Sequence, residues 1–499
     1  MTAEREPLLP RRAETPPLFD RVYLKVVVPC FLLLFTYGVI ANLMVTASNQ
    51  IYERIICRSF HDNVTEPTTD PRCKEDGVQS ELSFINGLES TISLVPQLLC
   101  AIPFGLVADV YGRRLAMVLA IAGSLGYELL RVLIYSATDS FPDTVPLRWV
   151  WGASLVQCIG GGEGFIIVLA NTIVNDVATD LHRSNVFLTL AASPVLGSLI
   201  GGPLTYAVLA RGEWTAVWLA IGLMFLTLLA VCFFPETLHY RKKSSELSDR
   251  AEVDAAGEDC NKLGSVGSVL LAQSKTTLSS MYHILKQNTS LAVVLFSTFF
   301  TTTGIFLAKL ILQQYIAKRY DLSWAKANLI LTIKTCVQLT LMVVLLPLLA
   351  HVLQKAKVSP FNRDVWVARM SLVLAAAGYA MVGLANSLPL LVTGLVVYGL
   401  SNGAEATIRS LIASSATNVG TGVLFSLMSI IQGTGILISG PIMAASFRAG
   451  LRLGKVWLGL PLLIASGLMV ITALVFFIVP LRKKAEEQAS PTGETEEGS

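Results

Sequence analysis

The chain has 499 residues, of which 53% are hydrophobic and only 15% are charged, whereas soluble globular domains carry about 25% charged residues. This composition excludes an ordinary water-soluble protein and indicates an integral membrane protein. The formal net charge of +3 is spread along the chain and forms no basic patch, so the sequence predicts no binding to nucleic acid.

Residues 1–21 are polar and predict a short cytoplasmic tail. They lack the pattern of a cleavable signal peptide, so we expect the first apolar span to direct insertion into the membrane. Within this tail, EREPLL at residues 4–9 fits an acidic dileucine sorting signal. We expect the protein in the plasma membrane, with the vacuolar membrane as the alternative.

Twelve apolar runs are long enough to cross a bilayer core of about 30 Å, for which a helix needs about 20 residues. Placing both termini in the cytoplasm puts more Lys and Arg inside than outside, in agreement with the positive-inside rule. The predicted spans are residues 24–48, 82–106, 115–137, 148–174, 186–209, 214–235, 290–316, 325–350, 365–386, 388–414, 421–446 and 456–480.

The loop after the first predicted span lies outside the cell in this topology. It contains the sequon Asn63-Val64-Thr65 and the two cysteines Cys57 and Cys73. A glycan and a disulfide both need the oxidising side of the membrane. We expect a glycan on Asn63 and a Cys57–Cys73 disulfide; the alternatives are a chance sequon and two free thiols.

The loop between the second and third predicted spans reads GLVADVYGRR, residues 105–114. It resembles the signature G-x-x-x-D-x-x-G-R-[RK] of the major facilitator superfamily. The positions that match are Gly105, Asp109, Gly112, Arg113 and Arg114. The resemblance implies an all-α membrane protein of twelve helices, built from two six-helix halves that rock around a central site.

This loop is expected to act as a conformational latch. Gly105 would let two helices approach closely, and Gly112 would permit a tight turn. Asp109 and Arg113 would form a charge-assisted contact that breaks when the halves tilt, with Asp176 and Asp180 as further partners. The alternative is a generic solvated loop.

The fifth predicted span contains PVLGSLIGGPL, residues 194–204. It resembles a Gly- and Pro-rich motif that exporters of the superfamily carry in this span. The residues expected to form this helix crossing are Gly197, Gly201, Gly202 and Pro203. Ordinary glycine packing between membrane helices is the alternative.

Internal repetition supports two related halves. Aligning Glu163 with Glu405 places Gly161 on Gly403. A second alignment, of residues 185–204 with 423–442, matches Phe187 with Phe425, Gly197 with Gly435, Gly202 with Gly440 and Pro203 with Pro441. We predict six-helix bundles over residues 22–236 and 289–480, a cytoplasmic linker over 237–288 that ends in a short surface helix, and a C-terminal tail over 481–499.

Several charged residues fall inside predicted spans, where a charge costs at least about 2.5 to 3.5 kcal/mol unless it faces water or a partner. They are Glu89, Glu128, Arg131, Glu163, Lys309, Lys334, Glu405 and Arg409. We expect Glu163 and Glu405, which are equivalent in the repeat, to face a central cavity and exchange protons against cargo. Arg409 would pair with whichever acid is ionised.

The remaining intramembrane charges have less specific interpretations. Glu128 precedes Arg131 by three residues, so the two share a helix face and form either part of the proton path or a structural ion pair. Glu89 is assigned to the same substrate and proton path. Lys309 and Lys334 are predicted nearer the outer face, where their side chains would reach water.

The function predicted from these features is proton-coupled, secondary active export of small organic compounds by alternating access, carried out by a monomer. The chain resembles fungal drug and secondary-metabolite efflux carriers. One departure concerns the fourth span, where Ser154 and Cys158 replace the Arg and Gly usual in proton-coupled drug exporters. The pattern also resembles proton-coupled folate transporters, so import of an organic anion is an alternative, and a nutrient receptor without transport is another. The sequence predicts no enzyme, cofactor, metal site or ATP-binding loop.

Overall fold

A computed structural model describes residues 21–61, 70–141, 144–177, 183–237, 289–414 and 421–479. These residues are almost entirely helical. Their α-helices are α1 (Arg21–Phe60), α2 (Asp76–Val110), α3 (Arg113–Ser140), α4 (Val150–Ala153), α5 (Gly162–Asn175), α6 (Arg183–Leu209), α7 (Glu213–Val231), α8 (Thr289–Arg319), α9 (Trp324–Thr340), α10 (Leu346–Lys355), α11 (Pro360–Leu384), α12 (Leu388–Gly399), α13 (Ala404–Ser414), α14 (Thr421–Leu453) and α15 (Leu460–Ile478).

The membrane-spanning character predicted from the sequence is confirmed. Among the described residues, ten helical segments are long and apolar enough to cross a membrane, and the bent helix α2 makes an eleventh. The remaining predicted span, residues 388–414, is divided between the apolar helix α12 and the short helix α13. The architecture is the all-helical, twelve-span fold that the sequence indicates.

Two predicted spans are broken, and the breaks occupy equivalent positions of the repeat. The fourth, predicted as continuous over 148–174, consists of α4, the 3-10 helix Ser154–Cys158, a turn and then α5. The tenth, predicted over 388–414, is interrupted by a turn at residues 401–403. Each second helix starts within two residues of its glutamate, so Glu163 and Glu405 both lie in the first turn of a helix that begins inside the membrane.

Three consecutive glycines cause the first of these breaks. Gly160, Gly161 and Gly162 have φ angles of 102°, 82° and 74°, a backbone region that glycine adopts without a steric penalty. The turn also fits closely against α3. A Cβ on Gly160 would overlap the backbone of Leu119 and Ala120.

We predict that Gly160→Ala lowers the free energy of unfolding by at least about 1 to 3 kcal/mol, because alanine is strained at this φ angle and its methyl group has no room. Gly152→Ala is the matched control, since Gly152 lies in α4 and a Cβ there would meet no atom within 4 Å. Thermal unfolding of the purified proteins in detergent measures both changes. Equal stability of the two variants would contradict the assignment of strain to Gly160.

The two halves of the chain meet along two helix pairs. Helix α2 packs on α14, and α6 packs on α9. At the first crossing the backbones of Gly87 and Gly440 are so close that a Cβ on either glycine would overlap the carbonyl oxygen of the other. Thr91 on the same turn of α2 donates a hydrogen bond to the carbonyl oxygen of Leu437, 3.0 Å away.

The glycines of the fifth predicted span also lie at helix crossings. A Cβ on Gly197 would overlap the carbonyl oxygen of Phe35 in α1, and a Cβ on Gly201 would lie 3.2 Å from the Cα of Val39. Gly202 instead faces the other half, where a Cβ would overlap the hydroxyl of Thr332 in α9. Pro203 on the neighbouring face is exposed. Through these glycines, α6 packs against α1 of its own half and against α9 of the other half.

The first outer loop is closed by a disulfide between Cys57 and Cys73. Asp70 caps the 3-10 helix Pro71–Lys74 that carries Cys73, and hydrogen bonds from Arg72 hold the pKa of the Asp70 carboxyl below its usual range. Three sequence predictions lie outside the described residues: the glycan site Asn63, the surface helix within the linker, and the sorting signal in the N-terminal tail.

Candidate functional site

A buried charge cluster joins α2 and α3 in the N-terminal half. Arg131 lies between two carboxylates, with its Nε 3.0 Å from Glu89 and its Nη1 2.9 Å from Glu128. Each of these three residues is at most 9% exposed. Within the described part of the chain, the cluster has one carboxylate more than it has cations.

Tyrosine side chains surround this cluster and supply its remaining hydrogen bonds. Tyr52 and Tyr127 donate to the two carboxylate oxygens of Glu89 at 2.8 and 3.0 Å. The guanidinium of Arg131 lies over the rings of Tyr127 and Tyr135, 5.2 and 5.6 Å from their centroids. The structure thus brings together Glu89, Glu128 and Arg131, three residues that the sequence analysis had placed on one path.

Glu163 lies at the start of α5, directly after the glycine turn, and is half-buried. The N-terminus of a helix carries partial positive charge, which stabilises a carboxylate in the first turn. The neighbouring backbone N–H of Gly164 donates to the side-chain oxygen of Gln97 at 3.3 Å, and Gln97 in turn donates to Gln157 at 2.8 Å. Polar groups from α2 therefore support the broken helix next to Glu163.

Glu163 connects the buried cluster with the other half of the protein. It is close enough to interact electrostatically with Glu128 and with Tyr37 of α1, whose hydroxyl is buried. It also interacts with Lys309 of α8, across the boundary between the halves. Glu163 therefore interacts with groups of both halves, and its orientation towards a central cavity stays a prediction.

Glu405 has a different environment, although it occupies the equivalent place in α13. It forms an ion pair with Arg409 on the same helix, at 2.7 Å, and the two side chains are 54% and 52% exposed. Glu405 also lines a small pocket with Thr302 and Phe306 of α8 and Gln432 of α14. The predicted pairing of Arg409 is therefore local, with Glu405.

The signature loop holds α2, α3 and the chain after α7 together. Arg113 forms ion pairs with Asp109 at 2.8 Å and with Asp176 at 3.3 Å. Glu236, which the sequence analysis missed, accepts hydrogen bonds from the backbone N–H groups of Arg113 and Arg114 and so caps the start of α3. The φ angle of 113° at Gly112 permits the turn. Asp180 lies outside the described residues.

Gly105 does not have the contact expected for it. A Cβ at this position would meet no atom within 4 Å, so the expectation that Gly105 lets two helices approach closely is wrong for this conformation. The physical reason is that the cytoplasmic end of α2 is not packed there. Leu106 and Val110 on the same stretch are 46% and 68% exposed.

Comparison with known proteins assigns the fold to a family. The model of the Major Facilitator Superfamily matches residues 79–440. The chain belongs to this superfamily. It is therefore a multi-pass membrane transporter and not an enzyme.

Relatives of this superfamily member cover almost its whole length. The MFS efflux pump atnC of Emericella nidulans is 28% identical over 97% of this chain and 94% of its own. The MFS-type transporter aprT of Aspergillus flavus is 28% identical over 93% of this chain and 90% of its own. A solved structure of the xylose transporter XylE from E. coli, in a partially occluded inward-open conformation, has the same fold, with a TM-score of 0.58 at 14% identity over 92% of this chain and 98% of that one.

The outer ends of the two halves of this transporter are joined through Glu53, near the end of α1. This carboxylate is 4% exposed and accepts hydrogen bonds from Lys74 at 2.7 Å and Gln79 at 2.5 Å. From the other half, the indole N–H of Trp324 donates to it at 2.7 Å. The Glu53–Trp324 contact, here named the gate, thus joins both halves at the end that the predicted topology places outside the cell.

Other polar contacts strengthen the same outer closure. Lys318 of α8 forms an ion pair with Asp76 at 2.9 Å, and Gln314 donates to the backbone oxygen of Gln79 at 2.8 Å. Slightly deeper, Gln313 donates to Thr46 at 2.9 Å. These contacts join the halves at that end, whereas a Cβ on Gly105, near the other end of α2, would meet no atom within 4 Å.

We predict that Trp324→Phe shifts the transporter towards its outward-open state by about 10- to 100-fold. The phenylalanine keeps an aromatic ring but removes the hydrogen bond between the halves, and such a bond to a charged acceptor contributes about 1.5 to 3 kcal/mol. The measurement is the labelling rate of a cysteine at Asn49, below the gate, by a membrane-impermeant thiol reagent.

Trp457→Phe is the control for this experiment, because Trp457 lies at the outer end of the same half and is 47% exposed. It should leave the labelling rate unchanged. A Trp324→Phe variant that labels no faster than the parent would show that Glu53 and Trp324 do not limit opening.

Sequence analysis missed Glu53, Gln97 and Glu236. Glu53 was missed because the first span was predicted to end at residue 48, whereas α1 continues to Phe60. A carboxylate between aliphatic residues in IYERII was the available signal. Glu236 follows a Pro after the sixth span and gave no pattern that distinguishes a helix cap from a solvated loop.

Proposed function

We propose that this transporter exports small organic compounds by alternating access, with cargo exchanged against protons at Glu163 or Glu405. Two relatives that align over most of the chain support export: one is named as an efflux pump of Emericella nidulans, and another, 25% identical over 81% of this chain, as the efflux pump ustT of Aspergillus flavus. The observation that carries the proposal is that Glu163 of the N-terminal half is within electrostatic reach of Lys309 in the C-terminal half.

The proton path of this proposal runs from the space between the halves into the N-terminal bundle. Glu163 exchanges a proton with the cavity, the Tyr37 hydroxyl lies beside it, and Glu128 leads on to Arg131 and Glu89. Because the cluster holds two carboxylates against one guanidinium, an added proton would remove its surplus negative charge. Intramembrane acids in such clusters commonly serve as proton relays.

In the proposed conformational cycle, the contacts that join the outer ends of the halves break and contacts between their cytoplasmic ends form. When the contacts of Glu53 and Lys318 break, the outer ends of the halves separate, and the cytoplasmic ends approach each other around Gly105 and the Arg113 latch. Protonation of Glu163 would bias this equilibrium by weakening its attraction to Lys309 across the halves. A ligand or proton shifts such an equilibrium only by its difference in binding between the two states.

The proposal also includes the localisation of the protein. We propose a monomer in the plasma membrane, with the vacuolar membrane as the alternative because of the sequence EREPLL at residues 4–9. A fluorescent fusion with Leu8→Ala and Leu9→Ala distinguishes the two. Relocation from the vacuole to the cell surface would establish the vacuolar alternative.

Uptake and efflux assays in cells lacking their own exporters test the proposed direction and energy source. Cells that produce the protein should accumulate less of an exported amphipathic compound, and a proton uncoupler should abolish the difference. Higher accumulation would instead support the importer of an organic anion. Transport in neither direction, with the protein present at the membrane, would support a receptor.

A further inference from the structure

Two lysines inside the C-terminal half exchange no proton themselves in the proposed mechanism. Lys309 lies on α8 and Lys334 on α9. The sequence analysis placed both near the outer face, with their ammonium groups directed to water. In the structure their ammonium groups instead lie among side chains of the bundle and close enough to each other to interact electrostatically.

Aromatic rings lie against both ammonium groups. The Nζ of Lys334 lies 4.7 Å from the ring centroid of Tyr398, a residue that is 5% exposed. The Nζ of Lys309 lies 5.6 Å from the ring centroid of Phe306, one turn earlier on α8. Each ring stabilises its cation by about 0.5 to 2 kcal/mol. This stabilisation is smaller than the cost of placing two charges inside a membrane protein.

Lys309 is an exposed residue on a mostly buried face of α8. Phe306 and Thr302, on the same face of α8, line the pocket that also contains Glu405. Lys309 also interacts electrostatically with Glu163 of the N-terminal half.

The charge around this pair is not balanced by contact with acids. Among the described residues, no carboxylate forms an ion pair within 4 Å of either ammonium group. Glu163 is the one acid among the charged groups that act on Lys309, and Lys334 acts on it as a like charge. Two cations that repel each other in a cavity are retained at a high cost unless an anion occupies the site.

We propose that Lys309 and Lys334 form an anion-binding subsite of the transport cavity, which takes the carboxylate or another acidic oxygen group of an amphipathic organic cargo. The anionic group lies between the two ammonium groups, and the rings of Phe306 and Tyr398 offer apolar surface beside them. This inference rests on the proposed function in one respect: the space beside the two lysines must be the cavity that binds the cargo.

Glu163 has a defined relation to this subsite. In the absence of cargo its carboxylate supplies part of the counter-charge for Lys309. A cargo anion therefore competes with Glu163 for the same ammonium group. Removing the charge of Glu163 should strengthen equilibrium binding of an anion, whereas removing the charge of either lysine should weaken it.

The test measures binding of 2-naphthoate and its neutral analogue 2-naphthamide to the purified full-length protein, by the rise in its thermal midpoint over a range of concentrations. The wild-type protein should bind the carboxylate more tightly than the amide. Lys309→Gln and Lys334→Gln should each weaken carboxylate binding by at least about tenfold, since a hydrogen bond to a charged group contributes about 1.5 to 3 kcal/mol. Binding of the amide should not change.

Four further variants keep the test decisive. Lys309→Arg and Lys334→Arg retain the charge and should retain most of the binding, which separates charge from folding. Lys326→Gln is the matched control, because Lys326 is an exposed lysine at the start of the same helix as Lys334. Glu163→Gln should raise the affinity for 2-naphthoate several-fold.

Equal binding of carboxylate and amide, or binding of neither, would overturn the subsite, as would unchanged carboxylate binding in both lysine-to-glutamine variants. Because these measurements are made at equilibrium, they do not depend on export or on proton coupling. Export of neutral compounds without anion binding would overturn the subsite alone. Anion binding without export would overturn the proposed function alone.

Discussion

Arg131→Met is expected to destabilise the folded protein by about 3 to 5 kcal/mol, the usual cost of leaving a buried charge without its partner. Arg131 is the cation that two buried carboxylates share, at 3.0 Å from Glu89 and 2.9 Å from Glu128. Methionine fills much of the same volume between the rings of Tyr127 and Tyr135 but leaves the two acids facing each other. The thermal midpoint in detergent should fall by roughly 3 to 5 °C, since the unfolding entropy scales with chain length.

Glu128→Gln provides the matched contrast, because it changes the charge of the same cluster in the opposite direction. It leaves Arg131 paired with Glu89 alone, and the glutamine oxygen can still accept a hydrogen bond from Arg131. We expect a change in stability within about 1 kcal/mol, since a glutamine replaces a carboxyl group whose charge the cluster does not balance.

The two variants together separate the alternatives for this cluster. If Glu128 and Arg131 are only a structural ion pair, Glu128→Gln should destabilise the protein nearly as much as Arg131→Met. Near-neutral behaviour of Glu128→Gln would support a cluster that exists with one proton bound. If neither variant lost stability, the cluster would not contribute to the stability of the folded protein.

Much of the fold follows from sequence because the membrane restricts what a chain can do. A run of apolar residues such as 214–235 has to become a helix, since backbone polar groups in lipid need internal partners. The loop GLVADVYGRR indicated the family through residue types at fixed spacing. Arg113 forms ion pairs with Asp109 and Asp176, the two partners expected from this loop. The repeat identified Glu163 and Glu405 as equivalent positions, although it predicted continuous spans and not the helix breaks beside these residues.

Other features depend on which helix faces which, and hydrophobic patterns do not record that. The apolar runs containing Gly160 and Gly403 looked continuous because a turn buried in protein needs no polar residues of its own. Glu53 became recognisable only when α9 brought Trp324 against it. Lys309 was assigned to the outer face from its distance to the loop, although the direction of its side chain depends on Glu163 in the other half.

The equivalent acids of the repeat also differ in their partners. Both lie in the first turn of a helix inside the membrane, but Glu405 has a cation four residues later and Glu163 does not. Glu405 is therefore paired on its own helix and half-exposed, at 2.7 Å from Arg409. Glu163 has its interactions with α1, α3 and α8, so its charge acts between elements that move relative to each other.

Glu163→Gln is expected to abolish proton-driven transport while leaving exchange of cargo across the membrane intact. Glutamine has nearly the same shape but takes up no proton, and its neutral side chain no longer attracts Lys309 across the halves. The measurement uses proteoliposomes containing a fluorescent compound that the wild-type protein exports. Transport driven by an imposed pH gradient is compared with exchange of labelled for unlabelled compound without a gradient.

Glu405→Gln is the matched variant, and the structure predicts a smaller effect for it. Arg409 loses its partner at a half-exposed position, where an ion pair contributes about 1 kcal/mol or less. Proton-driven transport should then persist at a reduced rate. The reverse order, with Glu405→Gln uncoupled and Glu163→Gln active, would place the proton in the C-terminal half. Because Glu163 interacts with both halves and Glu405 pairs within one helix, the charge that couples proton and conformation should be the charge of Glu163.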